Sequence, residues 1–238
     1  MINEPHYISP GQTGFKGKRL DAFLAAGYYR MQHLIFTTHY TQIDMGGGIL
    51  PVFWLRSPVK NIKEHKAASM IRKKCVAFTV EYKNAIISDE VESLYSIYES
   101  HVSFITAPSC SEVLHQQELD NPFDSWMIEI RDNNKLIAVG FFDKGENAIT
   151  GILNFYHPDY NKYSLGKYLI LKKVDYALEN NIALYYTGYL STAISKFDYK
   201  LFPDAAAIEV YLPLEKQWVP YGLLGKQFLE DYFFTRMM

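Results

Sequence analysis

Seven cations fall between residues 56 and 74: Arg56, Lys60, Lys63, Lys66, Arg72, Lys73 and Lys74. Such a cluster suits a phosphate backbone, and a solvated helix face gives the same pattern. Ser164-Leu165-Gly166 opens an apolar-periodic run. A helix entrance of this kind aims backbone N–H groups at an anion, and glycine allows close approach. A plain N-cap has the same sequence. Lys196 and Lys200, four residues apart, share one face if their segment is helical. The two cysteines, Cys75 and Cys110, are too few for a disulfide framework or an all-cysteine metal site. They read as reduced thiols filling space, and neither a metal nor a cofactor is expected.

These groups belong to a chain of 238 residues, 48% hydrophobic and 16% aromatic, enough to bury a substantial core. The net charge of −2 hides an asymmetry: residues 1–90 hold 12 Lys/Arg against 7 Asp/Glu, and residues 91–238 hold 12 against 19. The expected organisation is a basic N-terminal region, 1–90, packed against a catalytic domain, 91–238. No apolar run approaches the ~20 residues of a bilayer span, and the N-terminus lacks the order of a secretory signal, so a cytoplasmic protein with no membrane partner is expected. Trp54, Trp126 and Trp218 read as packing residues.

The elements that must position the candidates follow from periodicity and turn residues. Residues 18–30 read as a short helix, 34–40 and 49–55 as strands around the Gly46-Gly47-Gly48 loop, 60–74 as a basic helix and 75–83 as a strand. Ser88 or Asp89, with Glu92, caps a helix over 89–104. Strands 126–132, 135–143 and 149–156, joined by short turns, form an antiparallel meander. A helix from 165 to about 181 buries Leu165, Leu169, Val174, Ala177 and Leu178 and turns Lys167, Lys172, Lys173 and Glu179 to solvent. Strand 183–190 follows, parallel to 149–156 through a right-handed crossover. The class is α+β, a mixed and mainly antiparallel sheet flanked by helices, and this order resembles the GNAT acyltransferases. That fold implies a donor site where the two parallel strands splay, beside the helix N-terminus.

The segment Asn154-Phe155-Tyr156-His157-Pro158-Asp159 through Ser164-Leu165-Gly166-Lys167-Tyr168 is similar to the F/Y-x-P-D…S-L-G-x-Y signature of arginyl-tRNA-protein and bacterial leucyl-tRNA-protein transferases. Gly188-Tyr189 and Lys196-Phe197-Asp198-Tyr199-Lys200 resemble that family's G-Y…K-M-x-Y-K block, with Phe197 in place of Met, and Leu201-Phe202-Pro203 its F-x-P. Ala26-Gly27-Tyr28, Arg30 and His39 resemble N-terminal pieces of the family. The similarity is dense over 126–203 and thinner elsewhere. The family's C-x-x-C-x-x-C cluster is replaced by Tyr40, Ile43 and Gly46, and a further cysteine by Ile194. No converging thiolates remain for a metal or iron–sulfur site.

The resemblance implies an aminoacyl-tRNA donor, the N-terminal amine of a protein or peptide as acceptor, and a transfer that needs positioning more than a nucleophilic side chain. For catalysis it points to Asp159, His157, Tyr156 and Tyr189, with Tyr160 beside them; Asp159 reads equally as a loop residue capping a turn. For the donor it points to Ser164, Leu165, Gly166, Lys167, Tyr168, Lys196, Tyr199 and Lys200. Surface charge and core packing are the other readings of these lysines and tyrosines. An acyl-CoA-dependent N-acyltransferase is an alternative, although 157–166 lacks a Q/R-x-x-G-x-G/A pattern. A relative that kept the pocket only for binding is another.

Overall fold

The computed structural model describes residues 4–42, 48–104, 106–114 and 121–238. Its elements in order are β1 (His6–Ile8), α1 (Gly17–Ala25), β2 (Tyr29–Met31), β3 (Leu34–Thr37), β4 (Tyr40–Gln42), β5 (Ile49–Pro58), α2 (Lys66–Lys74), β6 (Thr79–Asn84), α3 (Asp89–Glu99) and α4 (Cys110–Leu114). The second half continues with β7 (Ser125–Asp132), β8 (Lys135–Lys144), β9 (Ala148–Tyr156), α5 (Leu165–Glu179), β10 (Leu184–Ser191), β11 (Glu209–Leu212), β12 (Gln217–Pro220) and α6 (Tyr221–Tyr232). Short 3₁₀ turns lie at Val59–Asn61, Pro158–Tyr163 and Ser195–Leu201.

The meander forms where apolar, β-prone runs meet turn residues: Asn133 takes a positive φ of 53° between β7 and β8, a conformation asparagine tolerates. Alternation then sorts the side chains by face. Ile128, Ile130, Ala138 and Phe142 pack under α2 and α5, while Met127, Val139, Phe141 and Phe155 pack under α3 and α4. Helix α3 starts at Ser88, whose hydroxyl accepts from the Val91 amide at 3.4 Å, and carries Asp89, Glu90 and Glu92 in its first turn. The Glu92 carboxylate accepts from the amides of Cys110 and Ser111 at 2.9 and 2.7 Å and so starts α4.

One nine-stranded sheet results, ordered β12-β11-β5-β10-β9-β8-β7-β6, with β4 paired to β5. It is mixed and mainly antiparallel, with helices on both faces. Strands β9 and β10 are parallel, as the crossover predicts. A separate small sheet of β1, β3 and β2 packs with α1. Both β5 and β6, from the first 90 residues, are strands of the large sheet, and β5 runs antiparallel along the far side of β10.

Several expectations shift. The basic helix is confined to Lys66–Lys74, the strand expected over 75–83 runs Thr79–Asn84, the helix expected over 89–104 ends at Glu99, and 34–40 divides into β3 and β4. Ile43, Gly46 and Gly47 lie outside the described residues. The largest correction concerns Lys173, expected on the solvent face and 1% exposed in the structure. Helix α5 is covered by the sheet on one side and by α2 on the other, so it is buried nearly all round and has no broad polar face.

Candidate functional site

Strands β9 and β10 pair only at Leu184–Ala148, Tyr185–Ile149 and Tyr186–Thr150, then part. Two features hold them apart. Between Tyr186 and Gly188 the register of β10 against β5 shifts, and Gly188 sits at φ 105°, a left-handed conformation that favours glycine. From β2, the Tyr29 hydroxyl lies 2.8 Å from the Gly151 carbonyl oxygen and 3.0 Å from that of Tyr186, bridging the strands where pairing stops. The Tyr29 ring stacks on Trp54 with centroids 4.8 Å apart.

The fork opens a cavity of about 240 Å³. One wall is aromatic: Tyr29, Phe36, Trp54 and Tyr189. The other walls come from Gly151 to Asn154 of β9, from Ile170 and Lys173 of α5, and from Tyr185, Thr187, Tyr199 and Lys200. Arg30 lines one end, buried, with its guanidinium donating to Asp143 at 2.7 Å, Ser125 at 2.9 Å and the Leu114 carbonyl at 2.7 Å.

Two lysines give the cavity its chemistry. Lys173 Nζ donates to the Phe141 carbonyl and to Asn154 Oδ1, both at 2.8 Å. Burial lowers its pKa to about 7, against the opposing pull of the Asp143 carboxylate. Lys200 Nζ donates to the Tyr189 carbonyl at 3.1 Å and lies 4.4 Å from the centroid of the Tyr189 ring. Burial and the nearby Lys196 charge lower it to about 7 as well. Burial raises the phenols of Tyr185 and Tyr29, so these hydroxyls stay protonated. The Thr187 hydroxyl, nine-tenths buried in the same cavity, has no partner among the described residues. The cavity therefore offers stacking surfaces, protonated hydroxyls and two amines balanced between charged and neutral forms near neutral pH.

Of the residues singled out in the sequence, Tyr189, Tyr199 and Lys200 line this cavity. Ser164, Leu165, Gly166 and Lys167 form the entrance of α5. Ser164 does not cap it through its side chain; it adopts a left-handed φ of 57°, and its carbonyl accepts from the amides of Lys167 and Tyr168. The Leu165 and Gly166 amides have no hydrogen-bond partner among the described residues, and Gly166 lies against the Tyr156 ring, 3.4 Å from where a Cβ would stand. Tyr156 rests on Tyr98, with centroids 5.9 Å apart.

Other candidates sit elsewhere. Tyr168 is buried between α5 and α2, in the packing role. Lys196 and Lys200 lie in a 3₁₀ turn of three residues per repeat, so they do not share a face: Lys200 turns inward while Lys196 stacks on Phe104. His157 caps the turn after β9, its Nδ1 accepting from the Asp159 amide at 3.3 Å and its Nε2 lying 3.3 Å from Lys135 Nζ. The Asp159 side chain is 77% exposed, and the Tyr160 hydroxyl donates to Asp132 at 2.9 Å. Neither His157 nor Asp159 lines the cavity. Trp54, read as packing, does line it, and so do Tyr29, Asn154, Lys173, Tyr185 and Thr187, which sequence reasoning missed. Cys75 and Cys110 are buried free thiols; burial pushes Cys75 up to about 11 and raises Cys110 further. Tyr40 stands in β4.

The sheet and this cavity define a mixed α/β protein with a cavity at a fork between parallel strands. Residues 90–202, which hold β9, α5, β10 and most of the cavity, match the family model described as arginine-tRNA-protein transferase, C terminus. Through this segment the chain resembles the aminoacyl-tRNA-protein transferases. It is 34% identical over 104 residues to arginyl-tRNA--protein transferase 1 of Arabidopsis thaliana, covering 42% of this chain and 16% of that protein. It is 29% identical over 148 residues to an aspartate/glutamate leucyltransferase of Pseudomonas entomophila, covering 61% and 63%. The match thus spans less than two thirds of either relative. Among solved structures, the L-PGS of Bacillus licheniformis superposes with a TM-score of 0.44 at 10% identity, over 73% of this chain and 50% of that one.

Proposed function

We propose that the chain is an aminoacyl-tRNA-protein transferase, moving an amino acid from the ribose ester of a tRNA to the N-terminal amine of a protein or peptide. The observation that carries this reading is the position of the cavity: it opens at the β9–β10 fork, inside the segment that matches the transferase family. We read the architecture as GNAT-like, with residues 91–238 as the acyltransferase part and the basic region 1–90 packed against it and lending β5 and β6 to its sheet. No helix among the described residues is long and apolar enough to cross a membrane, and we place the protein in the cytoplasm, acting without a metal or cofactor.

In this reading the amides of Leu165 and Gly166, with Ser164 and Lys167, meet donor phosphates at the α5 entrance. Tyr199 and Tyr189 stack on the terminal adenosine, and Lys200 lies beneath them. Lys196 and the cations of α2 extend the attraction along the tRNA, although Arg72 is committed to Asp175 at 2.7 Å and Glu64 at 3.0 Å. The acceptor enters past Tyr156, with His157 and Asp159 outside that rim, where Asp159 attracts the incoming ammonium. The names of the bacterial relatives suggest acceptors that begin with Asp or Glu.

The experiment is to incubate the purified chain with labelled aminoacyl-tRNAs and peptides differing at the first residue. Transfer of label to a peptide amine supports the proposal. Absence of transfer and of tRNA binding at low salt, with acetyl-CoA raising the melting temperature, would replace it by an acyl-CoA-dependent acyltransferase. Tight tRNA binding without turnover would indicate a binding relative.

A further inference from the structure

The amine of Lys173 is placed for more than charge. Its two partners, the Phe141 carbonyl and Asn154 Oδ1, are both acceptors and use two N–H groups. A neutral amine has two N–H groups and one lone pair, so these bonds satisfy its donors completely and leave the lone pair free. As an ammonium it would carry a third N–H with no partner among the described residues. Gly151 of β9 lies beside the amine. A Cβ there would lie 3.4 Å from Lys173 Nζ and 3.0 Å from the Tyr185 hydroxyl, so the missing side chain leaves both groups open to the cavity. Gly140 serves the same arrangement from β8: a Cβ on it would stand 2.8 Å from Asn154 Oδ1 and push that acceptor away.

We infer that Lys173 is the proton acceptor of the transfer, a reading that rests on the aminoacyl-transfer function proposed above. The acceptor amine attacks the ester carbonyl, forming the C–N bond and moving the carbonyl π electrons onto oxygen. The attacking nitrogen, now positively charged, gives one proton to the lone pair of Lys173 Nζ. When the C–O bond to the ribose breaks, its oxygen takes a proton from the Lys173 ammonium. The products are an amide, a free ribose hydroxyl and the neutral lysine.

The surroundings fit a group that gains and loses a proton on each turnover. Burial lowers the Lys173 pKa to about 7, and Asp143 of β8 opposes that shift. The other titratable groups around the cavity are Arg30 and Tyr29 of β2, Tyr185 and Tyr189 of β10, and Tyr199 and Lys200 of the 195–201 turn. Arg30 is already paired with Asp143. Tyr29 and Tyr185 are held protonated, so neither competes as a base near neutral pH.

The test is single-turnover transfer to a peptide across the pH range, with the wild type, Lys173→Met and Asn154→Asp. Lys173→Met is expected to lose ~10²–10⁴-fold in rate while the acceptor KM changes by less than about threefold. At acid pH the log rate should climb with a slope of about two in the wild type, from Lys173 and the acceptor amine, and of about one in the variant. Asn154→Asp places a carboxylate against the ammonium and is expected to move the Lys173 limb upward by ~1 pH unit or more, a shift that a packing role would not produce. The inference is overturned if Lys173→Met transfers at the wild-type rate with an unchanged profile. It is equally overturned if Lys173→Met misfolds and Asn154→Asp leaves the limb in place. A wild type that transfers no amino acid removes the functional reading itself, and this inference with it.

Discussion

Arg30 and Asp143, 113 residues apart, meet at 2.7 Å with their side chains 1% and 0% exposed. The pair ties β2 of the small sheet to β8 of the large one, at the end of the cavity. Arg30→Met leaves the carboxylate buried without its counter-charge, and loss of one partner of a buried pair costs ~3–5 kcal/mol. Burial already pushes the Asp143 pKa upward, so in this variant the carboxyl escapes by binding a proton. Urea unfolding should therefore show a larger loss at pH 8 than at pH 5.

Stability should rise with pH above neutrality. Lys173 and Lys200 are lowered to about 7 in the folded chain, against ~10.4 for an unfolded lysine. Between those values the unfolded state binds more protons, so raising the pH favours the folded state. From the ordinary thiol range upward an opposing effect sets in and grows through the tyrosine range, because the buried thiols of Cys75 and Cys110 and the buried phenols of Tyr29 and Tyr185 ionise first in the unfolded chain. Urea midpoints at pH 7, 8 and 9 check this. They should climb in the wild type and climb less in Lys173→Met.

Gly188 stands at the fork in a backbone conformation that only glycine adopts freely. Its φ of 105° strains any L side chain, and a Cβ would lie 3.0 Å from Lys200 Nζ. Gly188→Val is expected to cost ~1–3 kcal/mol for the backbone and to drive the Lys200 amine into the cavity. A folded variant with weakened aminoacyl-tRNA binding is the expected outcome. Unchanged binding would remove Lys200 from the donor site.

The salt dependence of tRNA binding should separate the lysines. Lys167 is exposed at the α5 entrance, its Nζ 5.4 Å from the Phe202 ring. If it meets a phosphate, Lys167→Ala lowers the log–log slope by ~0.7–0.9. Lys200 is bound to the Tyr189 carbonyl and held near neutrality, so Lys200→Ala should reduce affinity and leave the slope in place. Filter binding from low to moderate salt measures both.

What the sequence disclosed was local. Apolar, β-prone runs and the turn at Asn133 gave the meander, and helical spacing gave α5 and the parallel return to β10. The neighbour on the other side of β10 was hidden, because β5 lies about 130 residues earlier and no short-range pattern pairs them. The cavity was half legible for the same reason: motif residues supplied Tyr189, Tyr199 and Lys200, while Tyr29 arrives from β2 and Trp54 from β5, both remote in sequence. Lys173 did carry a signal. Leu169, Ile170, Tyr176 and Ala177, at the spacings of three and four on either side, are all apolar, which marks position 173 as inward despite its charge.

The place of β5 beside β10 bears on what could be cut from this chain. Residues 90–202 include neither β5 nor the Tyr29 bridge. A fragment limited to them would leave β10 as a bare margin of unpaired amides and carbonyls, hydrophobic along Tyr185, Tyr186 and Leu190, the sort of edge on which chains aggregate. The portion most like its relatives is thus no autonomous module, and an expression fragment meant to isolate it should begin upstream of residue 29.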